Sequence, residues 1–446
     1  MMRKSVRCIL LCVFTAAMIT LSGCSFSTDT ESLLSPPRPT GELYNIQQAL
    51  DKSVGEKYTL KYPTSGENRS AIILKDLDGD GEEAAVALYS TVKDNIVSMH
   101  INLIIKGAYG WQSAGDFKYV ASGVESVEFV DIDGDGTMEI IVGWAVYGNV
   151  DKALCVYSAA QDRFVQRINE KFTNYICSDV DGDGKAELFI TYLNNKEGIN
   201  TAKLLALNPE TQNDAAQQLG IVELDPAITG YSQPVISKLP DGNPAVYIDA
   251  VKGSGLITEV IEIADGTIKN VFAGDGDVAN SADATYRGAG NYVRDIDGDG
   301  VMEIPLLYIM TQGVSESDNI YRTDWCTVND GRLEVKMSAM MNYSDGYYIV
   351  IPEKWRDKIT ATRDTAARTR TVMRISEETG NSAQVLVRIQ AVPITDDDTS
   401  PAKAISNTQE IARTEEFYYV ASIGGYSGTE AVTIDEFKSY FKLIEN

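Results

Sequence analysis

Four segments of the chain share one pattern, in which two short apolar runs are separated by a polar loop. In the run after the second loop, Ile140, Val142 and Trp144 form one apolar face, and Ile141 on the opposite face is apolar as well. A strand that is apolar on both faces is buried on both. This pattern is typical of inner strands in sheets that stack face to face, as propeller blades do. The runs before the loops are 71–74, 127–130, 175–177 and 292–293, and those after them are 84–88, 140–142, 188–190 and 306–307.

The loops carry a repeated Asp-x-Asp-Gly-Asp-Gly motif that begins at Asp76, Asp131, Asp179 and Asp295. Calcium binds six to eight hard oxygen atoms, and carboxylates at positions 1, 3 and 5 point inward as the chain curls. Glycine at position 6 permits the positive φ that directs the carbonyl group of position 7 at the ion. A glutamate at position 9 closes the shell in three copies, whereas the first copy has Ala84 there. We therefore predict up to four Ca²⁺ sites and expect the Asp76 site to be the weakest.

The predicted ligands follow directly from these positions. They are Asp76, Asp78, Asp80 and Glu82 in the first loop, Asp131, Asp133, Asp135, Thr137 and Glu139 in the second, Asp179, Asp181, Asp183, Lys185 and Glu187 in the third, and Asp295, Asp297, Asp299, Val301 and Glu303 in the fourth. The residues at position 7 contribute their backbone carbonyl groups, and in the first loop the side chain of Glu82 or Glu83 is the candidate substitute for the missing glutamate.

Three other interpretations apply to loops of this kind. An EF-hand begins in the same way but requires a glutamate at position 12 and a helix on each side. Position 12 is apolar in every copy, which excludes an EF-hand: the residues are Ala87, Val142, Ile190 and Leu306. An Asx-rich turn without metal, and calcium that contacts a ligand directly, are the remaining alternatives. We expect calcium to be structural, because clustered carboxylates repel one another without a cation.

The first Asp residues of successive motifs lie 55, 48 and 116 residues apart. The long interval is two periods of about 58 residues, which predicts a hidden copy between the third and fourth motifs. Residues 234–249 keep the strand–turn–strand shape around Asp241 and Gly242 but lack the acids. Five repeats then occupy 70–341, each with room for four strands. An aromatic residue follows each loop at position 14, and we expect Trp144, Tyr192 and Tyr308 to pack between blades.

The N-terminus reads as a secretory signal over residues 1–23, with a basic start, an apolar run and no acidic residue. It ends in Leu21-Ser22-Gly23-Cys24, which is similar to the lipobox of bacterial lipoproteins, in which the cysteine is diacylated. Residues 24–40 are rich in Ser, Thr and Pro, as a flexible linker requires. We expect lipidation of Cys24 and an extracytoplasmic location on the bacterial cell membrane. An ordinary signal with an incidental cysteine and an uncleaved anchor helix are the alternatives.

The loops and their flanking strands resemble the FG-GAP/VCBS repeats of integrin-type β-propellers over residues 70–341. The resemblance implies a mainly β fold of propeller blades in which each loop joins the first two strands of a blade. Five visible blades are fewer than the seven usual in that family, so strands from 41–69 or from the C-terminal module close the ring, or the ring is smaller. The lipobox, the proline-containing linker and the order of modules also resemble clostridial VCBS-repeat lipoproteins.

The N-terminal segment 41–69 contains an amphipathic stretch with Leu43, Ile46 and Leu50 on one face. This spacing predicts a short helix that packs on the propeller.

Residues 342–446 lack the motif and read as a small α+β module. Its predicted strands are 347–351, 370–375, 384–392 and 417–421. Thr433 and Glu436 form a capping box that opens a final helix. The module is locally basic, with Lys354, Arg356, Lys358, Arg363, Arg368, Arg370, Arg374 and Arg388. A docking surface for an anionic partner is one interpretation, and the solvated face of a sheet is the one we favour.

The chain is strongly acidic, with 39 Lys and Arg against 64 Asp and Glu, a formal charge of −25. Without the signal the formal charge is −28. Such a surface repels nucleic acid and anionic membrane, so nucleic acid is excluded as a partner. Beyond Cys24 the cysteines are Cys155, Cys177 and Cys326, and an odd number does not form a disulfide framework. We expect three small buried residues, with one disulfide pair as the alternative.

Catalytic motifs are missing from the sequence. The single histidine, His100, alternates with Asn102 in a strand-like run, which favours a surface or inter-blade position over a general base. Ser90 and Lys93 fit Ser-x-x-Lys, but they follow a strand rather than open a helix. We therefore predict no enzyme but a binding scaffold, stabilised by calcium, for a protein or an envelope glycan. A propeller carbohydrate hydrolase or lyase with a carboxylate pair and a passive envelope component are the alternatives.

Overall fold

The computed structural model describes residues 41–146, 151–160, 163–208, 216–273, 278–311, 319–375, 382–394 and 408–444. The predicted signal, Cys24 and the whole predicted linker lie outside the described residues. In the described part of the chain, no helix is both long and apolar enough to cross a membrane.

The fold is mainly β, with helix α1 (Glu42–Val54) ahead of six antiparallel sheets that are numbered here in chain order. The first sheet contains β1 (Thr59–Leu60), β2 (Ile72–Lys75), β3 (Ala84–Lys93), β4 (Ile96–Gly107) and β5 (Gly110–Tyr119). The second contains β6 (Gly123–Val130), β7 (Glu139–Ala145), β8 (Lys152–Ala160) and β9 (Arg163–Phe172). The third contains β10 (Asn174–Ser178), β11 (Glu187–Asn194), β12 (Ile199–Ala206) and β13 (Gln217–Glu223).

The fourth sheet contains β14 (Ile228–Tyr231), β15 (Val235–Lys238), β16 (Pro244–Lys252), β17 (Gly255–Ala264), β18 (Thr267–Asn270) and β19 (Arg287–Gly288). The fifth contains β20 (Ile304–Thr311), β21 (Ile320–Asn329), β22 (Arg332–Asn342) and β23 (Tyr347–Val350). The sixth contains β24 (Ile359–Asp364), β25 (Thr369–Ile375), β26 (Ser382–Pro393), β27 (Gln409–Arg413) and β28 (Phe417–Ile423). Helix α2 (Ile434–Tyr440) follows, and β29 (Phe441–Leu443) returns to the fifth sheet. Short 3₁₀ helices occupy Val278–Thr285, Tyr343–Asp345 and Glu353–Trp355.

Sequential strands pair with their chain neighbours because tight turns connect them. Asp94 and Asn95 both have positive φ between β3 and β4, as do Asp265 and Gly266 between β17 and β18. Two consecutive residues in this conformation form the turn whose twist matches antiparallel strands. Each sheet is therefore mostly a meander along the chain.

The sheets stack face to face in chain order, and the strands that follow the first three acidic loops are buried on both sides. Val142 and Trp144 on β7 pack toward the first sheet, in a cluster with Leu88. Ile141, on the other face of β7, packs with Leu188 of the third sheet. The predicted two-sided burial is confirmed for β3, β7 and β11, whereas β20 becomes exposed at Tyr308 and Ile309. The architecture is that of β-propeller blades.

Helix α1 covers the remaining face of the first sheet. Ile46 and Leu50 are fully buried against Ala87 and Tyr89 of β3. The predicted helix on the propeller is confirmed, although Leu43 is exposed. None of the hydrophobic clusters formed by described residues joins the first sheet to the sixth. The stack thus begins at α1 and ends with the sixth sheet.

The hidden fourth repeat is confirmed as a sheet without an acidic loop. Strands β15 and β16 pair directly, and Gly242 in the connecting turn has a φ of +96°. The strand predicted before the last acidic loop is reduced to one bridge between Arg294 and Glu303.

The boundary predicted after residue 341 falls inside the fifth sheet. Strand β23 pairs with β22, and β29 pairs with β23, so the end of the chain adds an edge to this blade. The other strands predicted for the C-terminal module all lie in the sixth sheet. Thr433 Oγ1 accepts a hydrogen bond from the Glu436 amide at 3.2 Å and caps α2, as predicted.

Aromatic and cysteine side chains only partly follow the predictions. Trp144 is buried between blades, but Tyr308 is 46% exposed with the Arg322 guanidinium over its ring. The thiols of Cys155, Cys177 and Cys326 are free. Cys155 and Cys326 are buried, and Cys177 is half-buried.

Candidate metal centres

All four acidic loops fold around the first aspartate of the motif. In the second loop, the carboxylate of Asp131 accepts hydrogen bonds from the amides of Gly134 at 2.8 Å and Gly136 at 3.0 Å. These glycines have φ values of +72° and +90°, which side chains with a Cβ rarely adopt. The other loops repeat both hydrogen bonds: Gly79 and Gly81 to Asp76, Gly182 and Gly184 to Asp179, and Gly298 and Gly300 to Asp295.

Each loop brings three of its predicted carboxylates together, with oxygen atoms within 4.8 Å of one another. In the first and fourth loops these are positions 1, 3 and 5: Asp76, Asp78 and Asp80, and Asp295, Asp297 and Asp299. In the second and third they are positions 1, 3 and 9: Asp131, Asp133 and Glu139, and Asp179, Asp181 and Glu187. Hard carboxylate oxygens in this number and spacing suit a divalent metal ion. Each cluster therefore fits such an ion.

The remaining predicted ligands take other roles in the loops. The carboxylate at position 5 accepts a hydrogen bond from the amide at position 7. The backbone amides donate as follows: Glu82 to Asp80 at 2.7 Å, Thr137 to Asp135 at 2.7 Å, Lys185 to Asp183 at 2.8 Å and Val301 to Asp299 at 2.9 Å. The side chain of Glu82 is exposed and lies outside the first cluster.

The position-9 glutamates are almost fully buried. Each accepts a hydrogen bond from the amide at position 2, as Glu139 does from Ile132 at 2.9 Å and Glu187 does from Val180 at 3.1 Å. Burial raises the pKa of both Glu139 and Glu187 to about 7. A nearby cation favours the charged form of such a carboxylate. The same burial raises the pKa of Glu303.

The first loop has a cavity where the others have a glutamate. A cavity of about 300 Å³ is lined by Asp78, Asp80, Ala84 and Ala114. The small side chains of Ala84 and Ala114 leave this volume unfilled. That the Asp76 site is the weakest stays a prediction.

The first three loops lie side by side along one edge of the stack. The Met138 amide, at position 8 of the second loop, donates to the Leu77 carbonyl of the first loop at 2.7 Å. The Ala186 amide of the third loop likewise donates to the Ile132 carbonyl of the second at 3.2 Å. Neighbouring loops are therefore bonded through their backbones.

A β-bulge accompanies every acidic loop. In each of these sheets the pairing between the second and third strands after the loop shifts register by one residue. The extra residues are Ala114 on β5, Arg167 on β9, Leu219 on β13 and Lys336 on β22. The pairing of β17 with β18 in the motif-free fourth sheet has no such shift.

In the fourth loop, the bulge residue supplies a cation. The Nζ atom of Lys336 lies 2.9 Å from the Asp297 carboxylate, 2.6 Å from Asp299 Oδ2 and 2.9 Å from Glu303 Oε1. The hydrogen bond from Lys336 lowers the pKa of Asp299. The ammonium group thus occupies the centre of the predicted site.

In the second loop, Arg167 takes the corresponding place at longer range. Its Nη1 atom lies 3.6 Å from Asp133 Oδ2, and both side chains are almost fully buried. The same nitrogen donates to Ser158 Oγ at 3.3 Å, and Ser158 donates to Glu139 Oε1 at 2.9 Å. The bulge residue beside the third loop is Leu219, which carries no charge. The acidic side chains of the third loop form no ion pair with any described residue.

A second polar constellation lies inside the first sheet. His100 Nδ1 is 2.8 Å from Asp116 Oδ1, and His100 Nε2 is 3.0 Å from Thr91 Oγ1. The imidazole ring stacks on Tyr89, which also donates to Asp116. His100 therefore lies in a network within one blade rather than at the surface or between blades. Neither Thr91 nor His100 lines the cavity at the first loop.

Comparison with known proteins gives a fold-level likeness alone. No family model and no curated protein matches the chain. It is similar to a rhamnogalacturonan lyase from Bacillus licheniformis at 10% identity, over 73% of this chain and 90% of that one, with a TM-score of 0.30. It is also similar to a periplasmic gluconolactonase from Pseudomonas aeruginosa at 12% identity, over 72% and 85% of the two chains, with a TM-score of 0.29. Likeness at this level carries no conclusion about activity.

Proposed function

We propose that the protein is a non-enzymatic binding scaffold whose blades are stabilised by calcium at their acidic loops. The third loop is the observation that carries this proposal. Asp179, Asp181 and Glu187 lie within 4.8 Å of one another, and no described basic residue pairs with them. Without a cation these carboxylates repel one another. A calcium ion relieves that repulsion and ties β10 to β11.

We further propose that the chain is a member of the FG-GAP/VCBS lipoproteins, held at the outer face of a bacterial membrane by lipid on Cys24. The chemistry of the loops and the stacked blades supports this assignment. Labelling of the expressed protein with a radioactive fatty acid tests the anchor. Incorporation that disappears in Cys24→Ala is the expected result, and equal labelling of both proteins contradicts it.

Thermal melting of the purified full-length protein tests the role of calcium. Calcium at about 100 times its Kd stabilises the folded state by about 2.7 kcal/mol per site, so excess EGTA should lower the Tm by several degrees. Magnesium, which is smaller and demands octahedral geometry, is the control and should restore less of the Tm. An unchanged Tm in EGTA would contradict calcium stabilisation.

The enzymatic alternative is tested separately by incubating the protein with acidic and neutral polysaccharides. We expect no new reducing ends and no unsaturated products. Turnover that is lost on substitution of a defined carboxylate pair would replace the scaffold proposal with a hydrolase or lyase.

A further inference from the structure

A buried arginine that forms no ion pair with a described carboxylate lies where the fifth and sixth sheets meet. Arg370 on β25 is 4% exposed. Its Nη1 atom donates to the Met341 carbonyl at 2.9 Å, while its Nε atom is buried and has no hydrogen-bond partner. No described carboxylate forms an ion pair with it. Because a buried charge is costly unless it is paired, this guanidinium group requires an explanation.

The neighbouring acid, Asp345, does not serve as the counter-charge of Arg370. Asp345 acts on the Arg370 charge at longer range. Its carboxylate is already bonded to Arg368 Nη1 and accepts a hydrogen bond from Asn342 Nδ2 at 2.9 Å. Arg363 lies directly opposite Arg370 in the pairing of β24 with β25. Like charges at directly opposed positions destabilise a sheet, so this arrangement favours an anion beside the pair.

A polar cavity of about 370 Å³ adjoins the two arginines. Its described lining includes Arg363 and Arg370 and no acidic residue, although the chain has 64 acids against 39 basic residues. The other lining side chains include Asn291, Tyr321 and Tyr343. The cavity is within the range of small-molecule binding sites.

We propose that this cavity binds an acidic sugar unit through its carboxylate, with Arg370 as the main anchor. A guanidinium group donates charge-assisted hydrogen bonds that match carboxylate oxygens. The amide and hydroxyl groups of the lining match sugar hydroxyls, and the volume exceeds what an inorganic anion fills. The inference deepens the proposed binding role by naming its ligand class, and calcium-dependent melting tests that scaffold role independently.

Isothermal titration of the full-length protein with a hexuronate trisaccharide tests the proposal. The uronate should bind, and the matched neutral hexose trisaccharide should bind at least tenfold more weakly. Inorganic phosphate is the third probe. Phosphate that binds as tightly as the uronate, or no uronate binding by the wild type, would overturn the proposal.

Two variants separate a binding role from a structural one. Arg370→Met should abolish uronate binding and leave the Tm unchanged or raised, because replacing an unpaired buried charge by an apolar side chain of similar length is neutral or stabilising. Arg388→Ala, in the same sheet but outside the cavity, is the matched control and should bind normally. Unchanged binding in Arg370→Met would contradict the proposal. If Arg370→Met is less stable than the wild type, Arg363→Ala provides a second test, because Arg363 is at an exposed position in the lining. Arg363→Ala should bind uronate more weakly than the wild type, and unchanged uronate binding in this variant would equally contradict the proposal.

Discussion

The Nζ atom of Lys336 lies 2.6 Å from Asp299 Oδ2, inside a loop whose sequence is that of a calcium site. The same ammonium group reaches Asp297 and Glu303, both at 2.9 Å. A lysine thus brings a positive charge to the acids of this blade from within the chain. The four loops are alike in sequence but differ in whether a described basic side chain pairs with their acids.

We expect the fourth loop to bind no calcium in the wild type and to gain one ion in Lys336→Met. Removal of the ammonium group leaves Asp297, Asp299 and Glu303 without a counter-charge, so the variant should melt lower in EGTA and recover with calcium. Calorimetric titration of both proteins gives the stoichiometry. Asp299→Asn in the wild-type background is the control, and a loss of one calcium ion there would show that the metal displaces Lys336.

The third loop should contribute most of the calcium stabilisation. Asp181→Asn removes one of three clustered carboxylates, so the rise in Tm on adding calcium should shrink. With a Kd in the range of extracellular modules, about 10⁻⁴ to 10⁻³ M, 10 mM calcium gives about 1.4 to 2.7 kcal/mol per site. Asp78→Asn in the first loop is the matched comparison and should change the response less. The reverse order would contradict this ranking.

Adding the missing position-9 acid should strengthen the first site. Ala84→Glu places a carboxylate beside the cavity of about 300 Å³ that Ala114 leaves unfilled. We expect the calcium affinity of this loop to increase about tenfold, since one further charged ligand is worth about 1.4 kcal/mol or more. In EGTA the variant should be less stable than the wild type, because the added charge is uncompensated. Ala84→Gln, which introduces an uncharged side chain of the same shape as glutamate, should show neither the higher calcium affinity nor the lower stability in EGTA.

Glu430 should make the sixth sheet sensitive to acid. The hydroxyl group of Tyr426 donates to its carboxylate at 2.7 Å, and with Thr429 and Lys358 it lowers the pKa of Glu430 to about 2. This stabilisation is fully present above about pH 4.3, the pKa of glutamate in an unfolded chain, and is lost as the pH falls through about 2. Glu430→Gln should cost about 1–3 kcal/mol at pH 7. Its free energy of unfolding should also fall less than that of the wild type between pH 5 and pH 2, and parallel curves would contradict this.

The acidic loops and their strands were predictable because their structure is local. The hydrogen bonds from Gly134 and Gly136 to Asp131 join residues at most five apart, so the motif itself determines the turn. The alternation of apolar residues around Val142 and Trp144 equally determines which faces are buried.

The cations in the loops were not predictable in the same way. Lys336 reaches acids 33 to 39 residues earlier in the chain, and it does so because a bulge adds one residue to β22. No local pattern marks the register of that bulge. The boundary at residue 341 was misplaced for a related reason, since β23 is held by pairing with β29 from the end of the chain.

Helix α1 has a consequence for how copies of the molecule behave toward one another. A stack of sheets exposes an apolar face at each end unless something covers it, and such a face is a template for adding another sheet. Ile46 and Leu50 fill that face on the first sheet. The helix therefore gives the N-terminal end of the stack a covered apolar face in place of a bare one.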